Sequence, residues 1–486
     1  MEKKFRKSLF LFRRDLRLED NTGLIFALKS SEVVIPAFIF TPEQIDRNPF
    51  RSDHCLKFMI ESLKDLETQL KKKGGKLFFF KGKPEEVVSK CMSELNIEAL
   101  IVNRDYTPYS LQRDKKLEKV CKTGKIPFYS FDDALLHPPE ETLKKDGKPY
   151  TIFTPYFRNA SKQKVLPPVQ TKGTNYFHGS IPFAEDKSSF PKPSVENELI
   201  GGRSEALKIL KKLGSFGKYG SLRDFLAEEY STHLSPYLKF TVCSPREVYA
   251  AICRNLSPHH ELIRALYWRD FFTSIAFFFP HVFKGAFHSK FDKLKWSYNK
   301  KAYQRWYEGS TGFPIVDAGM REMNETGFMH NRVRMIAASF LIKDLHIDWR
   351  WGEKYFAQTL IDYDPAVNNG NWQWVASTGS DAQPYFRIFN PWNQQKKFDP
   401  ECIYIKKWVP ELRDFPPKAI HAWHEEKYRA GCKKYPAPMT NHEKAAKEAL
   451  HAYRSIYRRL KPKLRPIVVP VNLMLAICFN FLLDQL

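Results

Sequence analysis

The sequence predicts a chain of two parts: an α/β N-terminal domain built on a doubly wound parallel sheet, and a mostly α-helical C-terminal domain. Between residues 8 and 134, short apolar runs alternate with amphipathic stretches, an order typical of parallel strands covered by helices on both faces. After about residue 204 the apolar residues recur at helical spacing. A length of 486 residues, at roughly 150 residues per domain, also favours two or three domains.

The strand predictions rest on five runs rich in β-branched and aromatic residues. These are SLFLF (8–12), VVIPAFIF (33–40), KLFFF (76–80), ALIVN (99–103) and IPFYSF (126–131). Residues 54–73 form the clearest amphipathic helix between them. Ligands of such sheets bind beyond the carboxyl ends of the strands, but the chain has no G-x-G-x-x-G and no Walker motif. A conventional dinucleotide or ATP site is therefore not supported.

A stretch rich in Pro, Lys and Ser separates the two parts and is predicted to be a surface connector. The helical segments that follow are 204–213, 245–256, 259–279, 313–326, 329–345 and 352–361. The predicted divisions are an α/β domain (5–134), a connector (135–195), a helical domain (196–460) and an atypical apolar tail (461–486).

Charge and cysteine content narrow the class of protein. The net charge of +24 favours an anionic partner, with nucleic acid first and an anionic membrane surface second. Eight cysteines without a C-x-x-C pair indicate reduced thiols in a cytoplasmic protein, with neither a disulfide framework nor a metal site. The N-terminus does not fit a signal peptide. The apolar stretch 467–483 is at the lower length limit for a membrane span, and Pro470, Asn472 and Asn480 weaken that interpretation. A packed helix or an altered reading frame is favoured for the tail, and a tail anchor stays an alternative.

Residues 312–392 mix apolar side chains with polar ones that are costly to bury. They are His330, Asn331, Arg332, Arg334, Asp348, Asp362, Asp364, Asn368 and Asn369. Buried charges need partners and buried amides need hydrogen bonds. This density is explained either by a polar ligand inside the helical domain or by salt bridges between helices.

Two segments here, RMIAASFLIKDLHIDWRWGEKYF (334–356) and NNGNWQWVASTGSDAQPYFRIFNPW (368–392), resemble the signature of photolyases and cryptochromes. FRRDLRLEDN (12–21), HLSPYLKF (233–240) and YWRDFF (267–272) fit the same family. The resemblance runs from about residue 8 to about 460. It implies a non-covalent FAD folded into a U within the helical domain, and an antenna cofactor between the domains. MHNRVRM (329–335) resembles the class I photolyases of cyclobutane pyrimidine dimers.

The resemblance assigns roles to individual side chains. The expected FAD-binding residues are Tyr219, Ser231, Thr232, His233, Leu234, Ser235, Arg334, Asp362, Asp364 and Asn368. Among them, the resemblance implies that Tyr219, Ser231, Thr232 and Ser235 belong to a loop that holds the phosphates and that Asn368 lies near the flavin ring. The expected DNA-binding and dimer-binding residues are Trp268, Arg269, Asn331, Arg332, Met335, Trp374 and Arg387. The resemblance implies that the two tryptophans stack on the dimer and that the three arginines hold phosphates of the DNA or order the rim of the pocket. The expected electron-transfer chain is Trp296, Trp349 and Trp372. In this family, excited reduced FAD sends an electron to a dimer flipped out of damaged DNA, and the protein works as a monomer without an obligate protein partner.

The chain departs from the family pattern at several positions. Ala265 stands where dimer photolyases usually carry a Glu, and Glu261, one helical turn earlier, is too far away to replace it. Thr241 replaces a Gly, and is strained if φ is positive there. His233 replaces a frequent Arg, and the tail has no family counterpart. A cryptochrome-like blue-light receptor or a repair-impaired photolyase is the alternative, and a (6-4) photolyase comes third.

Of the expected features, the identity of the antenna cofactor is the least determined by the sequence. Asn103, Tyr106 and Tyr109 follow the fourth predicted strand, close to where the family binds its second chromophore. Methenyltetrahydrofolate, a deazaflavin and an empty site are all compatible with the sequence.

Overall fold

The five predicted runs form one parallel sheet in the computed structural model, which describes residues 3–228 and 230–459. The strands are β1 (Phe5–Phe12), β2 (Ser31–Phe40), β3 (Phe78–Lys81), β4 (Ala99–Asn103) and β5 (Phe128–Phe131). Their order is β3-β2-β1-β4-β5, and all four neighbouring pairs are parallel. The winding direction reverses between β1 and β4, which is where ligands of such sheets bind. Predictions about residues 461–486 lie outside the described residues.

Six helices accompany the sheet up to residue 160: α1 (Thr22–Ser30), α2 (Pro42–Ile45), α3 (Asp53–Lys72), α4 (Pro84–Leu95), α5 (Pro108–Thr123) and α6 (Phe153–Ala160). The following region contains α7 (Arg203–Lys211), α8 (Tyr219–Leu222), α9 (Ser235–Lys239), α10 (Pro245–Asn255), α11 (Glu261–Phe278), α12 (Lys300–Tyr307), α13 (Pro314–Thr326) and α14 (Asn331–Ser339). After these come α15 (Trp349–Thr359), α16 (Pro365–Val375), α17 (Pro391–Phe398), α18 (Ile403–Trp408), α19 (Pro417–His421), α20 (Glu426–Arg429) and α21 (His442–Arg459).

Alternate residues of the strands pack on opposite faces of the sheet, as the period of two requires. Phe10 and Phe38 belong to a core shared with Leu63 of α3 and with the first helices of the helical region. Leu9 belongs to a separate core on the other face, together with Leu117 of α5. The sheet is therefore covered on both faces, and the predicted fold class is confirmed.

The helical region has a second core around Trp306, Phe313, Ile336 and Phe356. The single helix predicted over 329–345 is α14 followed by a buried π-helical turn, Phe340–Asp344. Such turns are often found at functional sites. Among the described helices, none is both long and apolar enough to cross a bilayer.

The predicted connector is not a plain surface loop, because α6 lies within it. Phe153 and Tyr156 of α6 are buried, and Phe153 stacks on Trp268 of α11 with ring centroids 3.6 Å apart and planes 6° apart. The aromatic residues of YTIFTPYF (150–157) were the signal in the sequence for this packing. The connector therefore contributes to the helical region.

Candidate functional site

The segment expected to hold phosphates runs from Ser231 to the start of α9. Leu234 is buried, whereas Ser235 is exposed and Ser231 and Thr232 are half-buried. The hydroxyls of these serines and this threonine make no hydrogen bond to another described residue. His233 has a positive φ of 52°, an uncommon backbone for a non-glycine residue. Hydroxyl donors left free in a half-buried segment are suited to an anionic group.

The ring of Phe328 joins this segment to the predicted flavin-binding arginine. His233 lies 4.6 Å from Phe328 between ring centroids, and the guanidinium of Arg334 lies 5.4 Å from the same ring. Arg334 also donates two parallel hydrogen bonds to Asp362, at 3.1 and 3.0 Å. The structure thus brings His233, Arg334 and Asp362 together, although they are far apart in sequence.

The predicted Asp364 is held by an arginine that sequence reasoning did not assign. Arg14, directly after β1, donates to Asp364 at 2.6 Å and to Asp105 at 3.4 Å. Burial opposes ionisation of both carboxyls, but the positive charges of Arg14 and of neighbouring cations such as Lys239 outweigh it. They lower the pKa of Asp364, and they lower that of Asp105 to about 2. Asp364 also accepts from the main-chain N–H groups of Ala366 and Val367 and so caps α16.

Asn368, expected near the flavin ring, is bonded to α15. Its amide donates to the main-chain oxygen of Glu353 at 3.0 Å, and the neighbouring Asn369 donates to the Glu353 carboxylate at 3.2 Å. Burial raises the pKa of Glu353 to about 7. This carboxyl lies in the GEKYF part of the family signature, but its role is not predictable from the sequence, because burial of a single residue leaves no pattern there.

The donor set agrees with what FAD requires. Free hydroxyls can hold phosphates, a paired arginine and carboxylate can bond the polar edge of a ring system, and the Asn368 amide is fixed in orientation. These side chains come from four elements or segments, and Arg334 contacts both Phe328, which packs on His233, and Asp362, so the residues present fit the cofactor.

One helix, α14, carries both predicted flavin-binding and predicted dimer-binding residues. Arg334 on α14 pairs with Asp362, whereas Asn331 is exposed and its amide lies 3.9 Å from the Met335 sulfur. His330 caps the helix by accepting from the Arg332 N–H at 3.2 Å. Burial lowers the pKa of His330 to about 4, so the ring is a neutral acceptor at pH 7.

The predicted stacking tryptophans are both half-buried. One face of Trp268 is covered by Phe153, which sequence reasoning missed, and Trp374 packs against the core of the helical region. Either indole therefore has part of its surface available to a ligand, as flat apolar walls of a pocket require.

The three arginines expected to contact DNA differ in environment. Arg332 forms an ion pair with Asp224, and its guanidinium lies 4.4 Å from the ring of Phe398. Arg387 is exposed. Arg269 points inward instead, with 13% of its side chain exposed and a 3.4 Å contact to Asp270. With 17% of its side chain exposed, Arg332 is hardly more open than Arg269, so of the three arginines Arg387 is the one whose exposure suits it to contacts with a bound polyanion.

Two of the three tryptophans of the expected electron-transfer chain are buried, and the third is partly exposed. Trp349 and Trp372 are each 2% exposed, and Trp296 is half-buried. Among the described residues, no ring contact joins Trp349 to Trp372 or to Trp296. Their role as a chain stays a prediction.

The geometry agrees with what the sequence implied for two departures from the family pattern, the Ala265 position and Thr241. Ala265 is exposed on α11, whereas Glu261 pairs with Arg223 at 3.5 Å and does not reach the position of Ala265. Thr241 has a positive φ of 36°, an outlier for a β-branched residue. Its hydroxyl donates to the main-chain oxygen of Arg14 at 2.7 Å, which offsets part of the strain.

Two of the three predicted antenna residues are already bonded within the protein. The amide of Asn103 donates to Asp15 at 2.5 Å and to Asn21 at 2.7 Å, and Tyr106 donates to Asp132 at 2.7 Å. Tyr109 is 38% exposed. Of the three, Tyr109 alone is open to a ligand. Within residues 3–228 and 230–459, no group of three or more His, Cys, Asp or Glu side chains could hold a metal ion.

Comparison with known proteins identifies the family. The family model described as DNA photolyase matches residues 8–173, and the model described as the FAD binding domain of DNA photolyase matches residues 262–455. The deoxyribodipyrimidine photo-lyase of Alkalihalophilus pseudofirmus is 37% identical over 471 residues, covering 91% of this chain and 97% of the relative.

Solved structures similar to this chain support the same family assignment. An archaeal photolyase from Sulfolobus tokodaii, described with two FAD molecules, is 42% identical with a TM-score of 0.83, over 92% of this chain and 100% of that one. A cryptochrome from Synechocystis sp. is 29% identical with a TM-score of 0.85, over 93% and 100% of the two chains. The resemblance drawn from the sequence motifs is therefore confirmed. The chain belongs to the DNA photolyase family and contains the FAD-binding domain of that family.

Proposed function

We propose that this protein is a light-driven DNA lyase that reverses cyclobutane pyrimidine dimers. The observation that carries the proposal is the double use of α14, where Arg334 pairs with Asp362 and Asn331 and Met335 project outward within one helical turn. A helix that contacts the flavin with one side chain and the dimer with two others holds donor and acceptor next to each other.

The protein's own residues bind and orient the two partners. Arg334 and Asp362 are fixed by their paired hydrogen bonds, and Asn368 is fixed by α15, so the flavin ring would meet a preorganised polar edge. When bound, reduced FAD supplies a photo-excited electron that passes to the dimer and returns after the ring has split. No general acid or base is needed for that chemistry.

The dimer would enter a pocket between Trp268 and Trp374 after leaving the duplex. Phe153 covers one face of the Trp268 indole, and Phe271 and Phe272 also pack against it. The part of this half-buried indole that stays exposed would meet the apolar pyrimidine rings. Asn331 supplies hydrogen-bonding groups for their carbonyl and imide edges. Arg332, Arg387 and the net charge of +24 would attract and position the phosphate backbone without reading its sequence.

The proposed division is an antenna domain (5–134), a connector (135–195) and a FAD-binding and DNA-binding domain (196–460). We further propose that the protein acts as a cytoplasmic monomer on damaged DNA. Methenyltetrahydrofolate, a deazaflavin and a second FAD are all candidates for the antenna chromophore. Since Asn103 and Tyr106 are bonded internally, any such group would rely on contacts other than these.

A blue-light sensor is the second candidate, favoured by the exposed Ala265, which supplies no acceptor to a dimer. Photoreversal separates the two. Reduced, FAD-loaded protein is mixed with an oligonucleotide bearing one thymine dimer, and recovery of base absorbance is followed in light and in darkness. Recovery in light alone supports the lyase. No recovery, with flavin bound and photoreducible, contradicts it and favours a sensor or a repair-impaired enzyme.

A further inference from the structure

Two ion pairs join α11 and α14 to the segment that follows α8. Asp224 pairs with Arg332 of α14, and Arg223 pairs with Glu261, the first residue of α11, at 3.5 Å. Since Arg223 and Asp224 are neighbours in sequence, one short segment takes part in both pairs. We refer to Asp224 and Glu261 as the rim carboxylates.

The rim carboxylates lie beside residues that line the proposed dimer pocket. Arg332, the partner of Asp224, directly follows the exposed Asn331. Glu261 is exposed and lies one helical turn before Ala265 on α11. A DNA strand whose dimer enters the pocket would therefore pass close to both carboxylates.

Arg332 keeps hydrogen-bond donors that Asp224 does not use. The carboxylate accepts from one Nη atom of the guanidinium, whereas the Nε is buried and has no hydrogen-bond partner among the described residues. Because a guanidinium can donate two parallel hydrogen bonds to a phosphate, this arginine is suited to exchange its single bond to Asp224 for such a pair.

Arg223 is more open, and its partner has a defined position. Its side chain is 44% exposed, and its guanidinium lies 5.7 Å from the ring of Tyr219. Glu261 lies against Gly220, where an added Cβ atom would be 2.9 Å from the carboxylate. The absence of a side chain at Gly220 therefore lets the carboxylate reach the segment that carries Arg223.

We propose that the rim carboxylates compete with DNA phosphates for Arg332 and Arg223, and that this competition speeds the release of repaired DNA. The proposal rests on the proposed function, because it takes α11 and α14 as the border of the DNA-binding surface. In the free protein each arginine is neutralised by a carboxylate. When DNA binds, phosphates replace the carboxylates, which then repel the strand.

The effect on release follows from what each arginine meets when a phosphate leaves. Breaking a contact of a half-buried arginine normally leaves an unpaired charge, which is costly. Here Arg332 returns to Asp224, and Arg223 returns to Glu261, so this cost is avoided during dissociation. A strand without a dimer makes no dimer contacts in the pocket, so it leaves at the rate that these exchanges permit.

The first test measures binding of Asp224→Asn to dimer-containing and undamaged oligonucleotides. Both affinities are expected to rise by about two- to five-fold, the range for a partly exposed ion pair, and the slope of log K against log salt is expected to steepen by up to about 0.9. Glu118→Gln is the matched control, because it changes the net charge equally at an exposed position of α5, which covers the other face of the sheet. A rise no larger than that in the control overturns the proposal.

A double-mutant cycle shows whether each carboxylate acts through its arginine. In the Arg332→Gln background, Asp224→Asn is expected to change DNA affinity no more than Glu118→Gln does, since no competition is left to remove. The same result is expected for Glu261→Gln in the Arg223→Gln background. Gains that persist in the arginine variants are a general effect of charge and contradict the competition.

Release is measured by stopped flow, in which a labelled undamaged oligonucleotide on the protein is chased with excess unlabelled DNA. The double variant Asp224→Asn/Glu261→Gln is expected to release it several-fold more slowly. Under continuous light its turnover should fall, whereas the repair yield of a single flash should equal that of the parent. An unchanged dissociation rate, or a lower single-flash yield, contradicts the role in release.

Flavin content and melting temperature are compared for every variant. If Asp224→Asn loses its flavin, Glu261→Gln, at an exposed position, gives the same test with the same expected rise in affinity. Binding and dissociation are measured in darkness, so they do not depend on repair. Failure of repair in a parent protein that shows the competition contradicts only the proposed function, whereas normal repair with unchanged affinities in the variants contradicts only the competition.

Discussion

Introducing a carboxylate at Ala265 should strengthen recognition of the dimer. Ala265 is exposed on α11, three residues before Trp268, so the two side chains lie on one face of the helix. Glu261, one turn earlier on this helix face, does not supply the missing carboxylate, because it forms an ion pair with Arg223 at 3.5 Å. Ala265→Glu would therefore place an acceptor next to the indole without displacing an existing side chain.

The size of the gain follows from hydrogen-bond energetics. A hydrogen bond to a charged group contributes about 1.5–3 kcal/mol, and about 1.4 kcal/mol corresponds to a factor of ten in affinity. Ala265→Glu should thus improve the ratio of affinities for dimer-containing and undamaged oligonucleotides by about ten- to a hundred-fold. Ala265→Gln, which offers a neutral hydrogen bond, should improve it by only several-fold, since such bonds contribute about 1 kcal/mol.

The assay is competition binding of reduced, FAD-loaded protein, followed by photoreversal at saturating dimer. The ratio of affinities is the proper readout, because an added negative charge weakens attraction to any DNA. An unchanged ratio in Ala265→Glu, with flavin content and melting temperature equal to those of the parent, would refute the argument that this position faces the dimer.

Three further changes test other parts of the site. Arg332→Gln should weaken binding to damaged and undamaged DNA alike and reduce the slope of log K against log salt by about 0.9, which a salt titration measures. Trp372→Phe should block photoreduction but leave repair by chemically reduced protein largely intact; equal photoreduction in both proteins would contradict the donor assignment. Asp105→Asn concerns pH. The pKa of Asp105 is lowered to about 2, so its ionised form stabilises the fold above about pH 4, and this contribution is lost as the pH falls through about 2. The variant should lose about 2 kcal/mol at pH 7 and show a shallower decline in stability between pH 4 and 2, measured by denaturant unfolding; an unchanged pH dependence would count against the pairing with Arg14.

Local pattern in the sequence predicted the elements well, and the reason is physical. Strands buried on both faces must be continuously apolar, so runs such as ALIVN identified β4 within the described chain. The helix predicted over 352–361 begins earlier, at Trp349, because the side chain of Asp348 accepts from the Arg350 N–H at 3.0 Å and caps it. Such a cap depends on one side chain, and the spacing of apolar residues along the sequence does not reveal it.

Contacts between distant parts of the chain were not predictable from pattern. Arg14 and Asp364 are 350 residues apart in sequence and 2.6 Å apart in space. Phe153 looked like part of a connector, yet it stacks on Trp268. Charge and aromaticity are visible in a sequence, but the partner of a given residue is set by how the elements pack. The sequence motif predicted which residue types form the site, and the structure shows which other residues hold those side chains in position.

The link through Arg14 explains why the sheet matters to the flavin site whether or not an antenna is bound. Arg14 lies just after the carboxyl end of β1, Asp105 lies just after the end of β4, and Asp364 caps the start of α16. Because all three are mostly buried, removing the guanidinium would take from both carboxylates the cation that is directly paired with them, leaving other nearby charges such as Lys239. Breaking a buried pair in this way costs several kcal/mol. The strand ends at which other doubly wound sheets bind a ligand here fix the first turn of α16. That helix continues to Asn368, Trp372 and Trp374, so the position of the proposed electron donor and of one pocket wall depends on a residue of the opening strand.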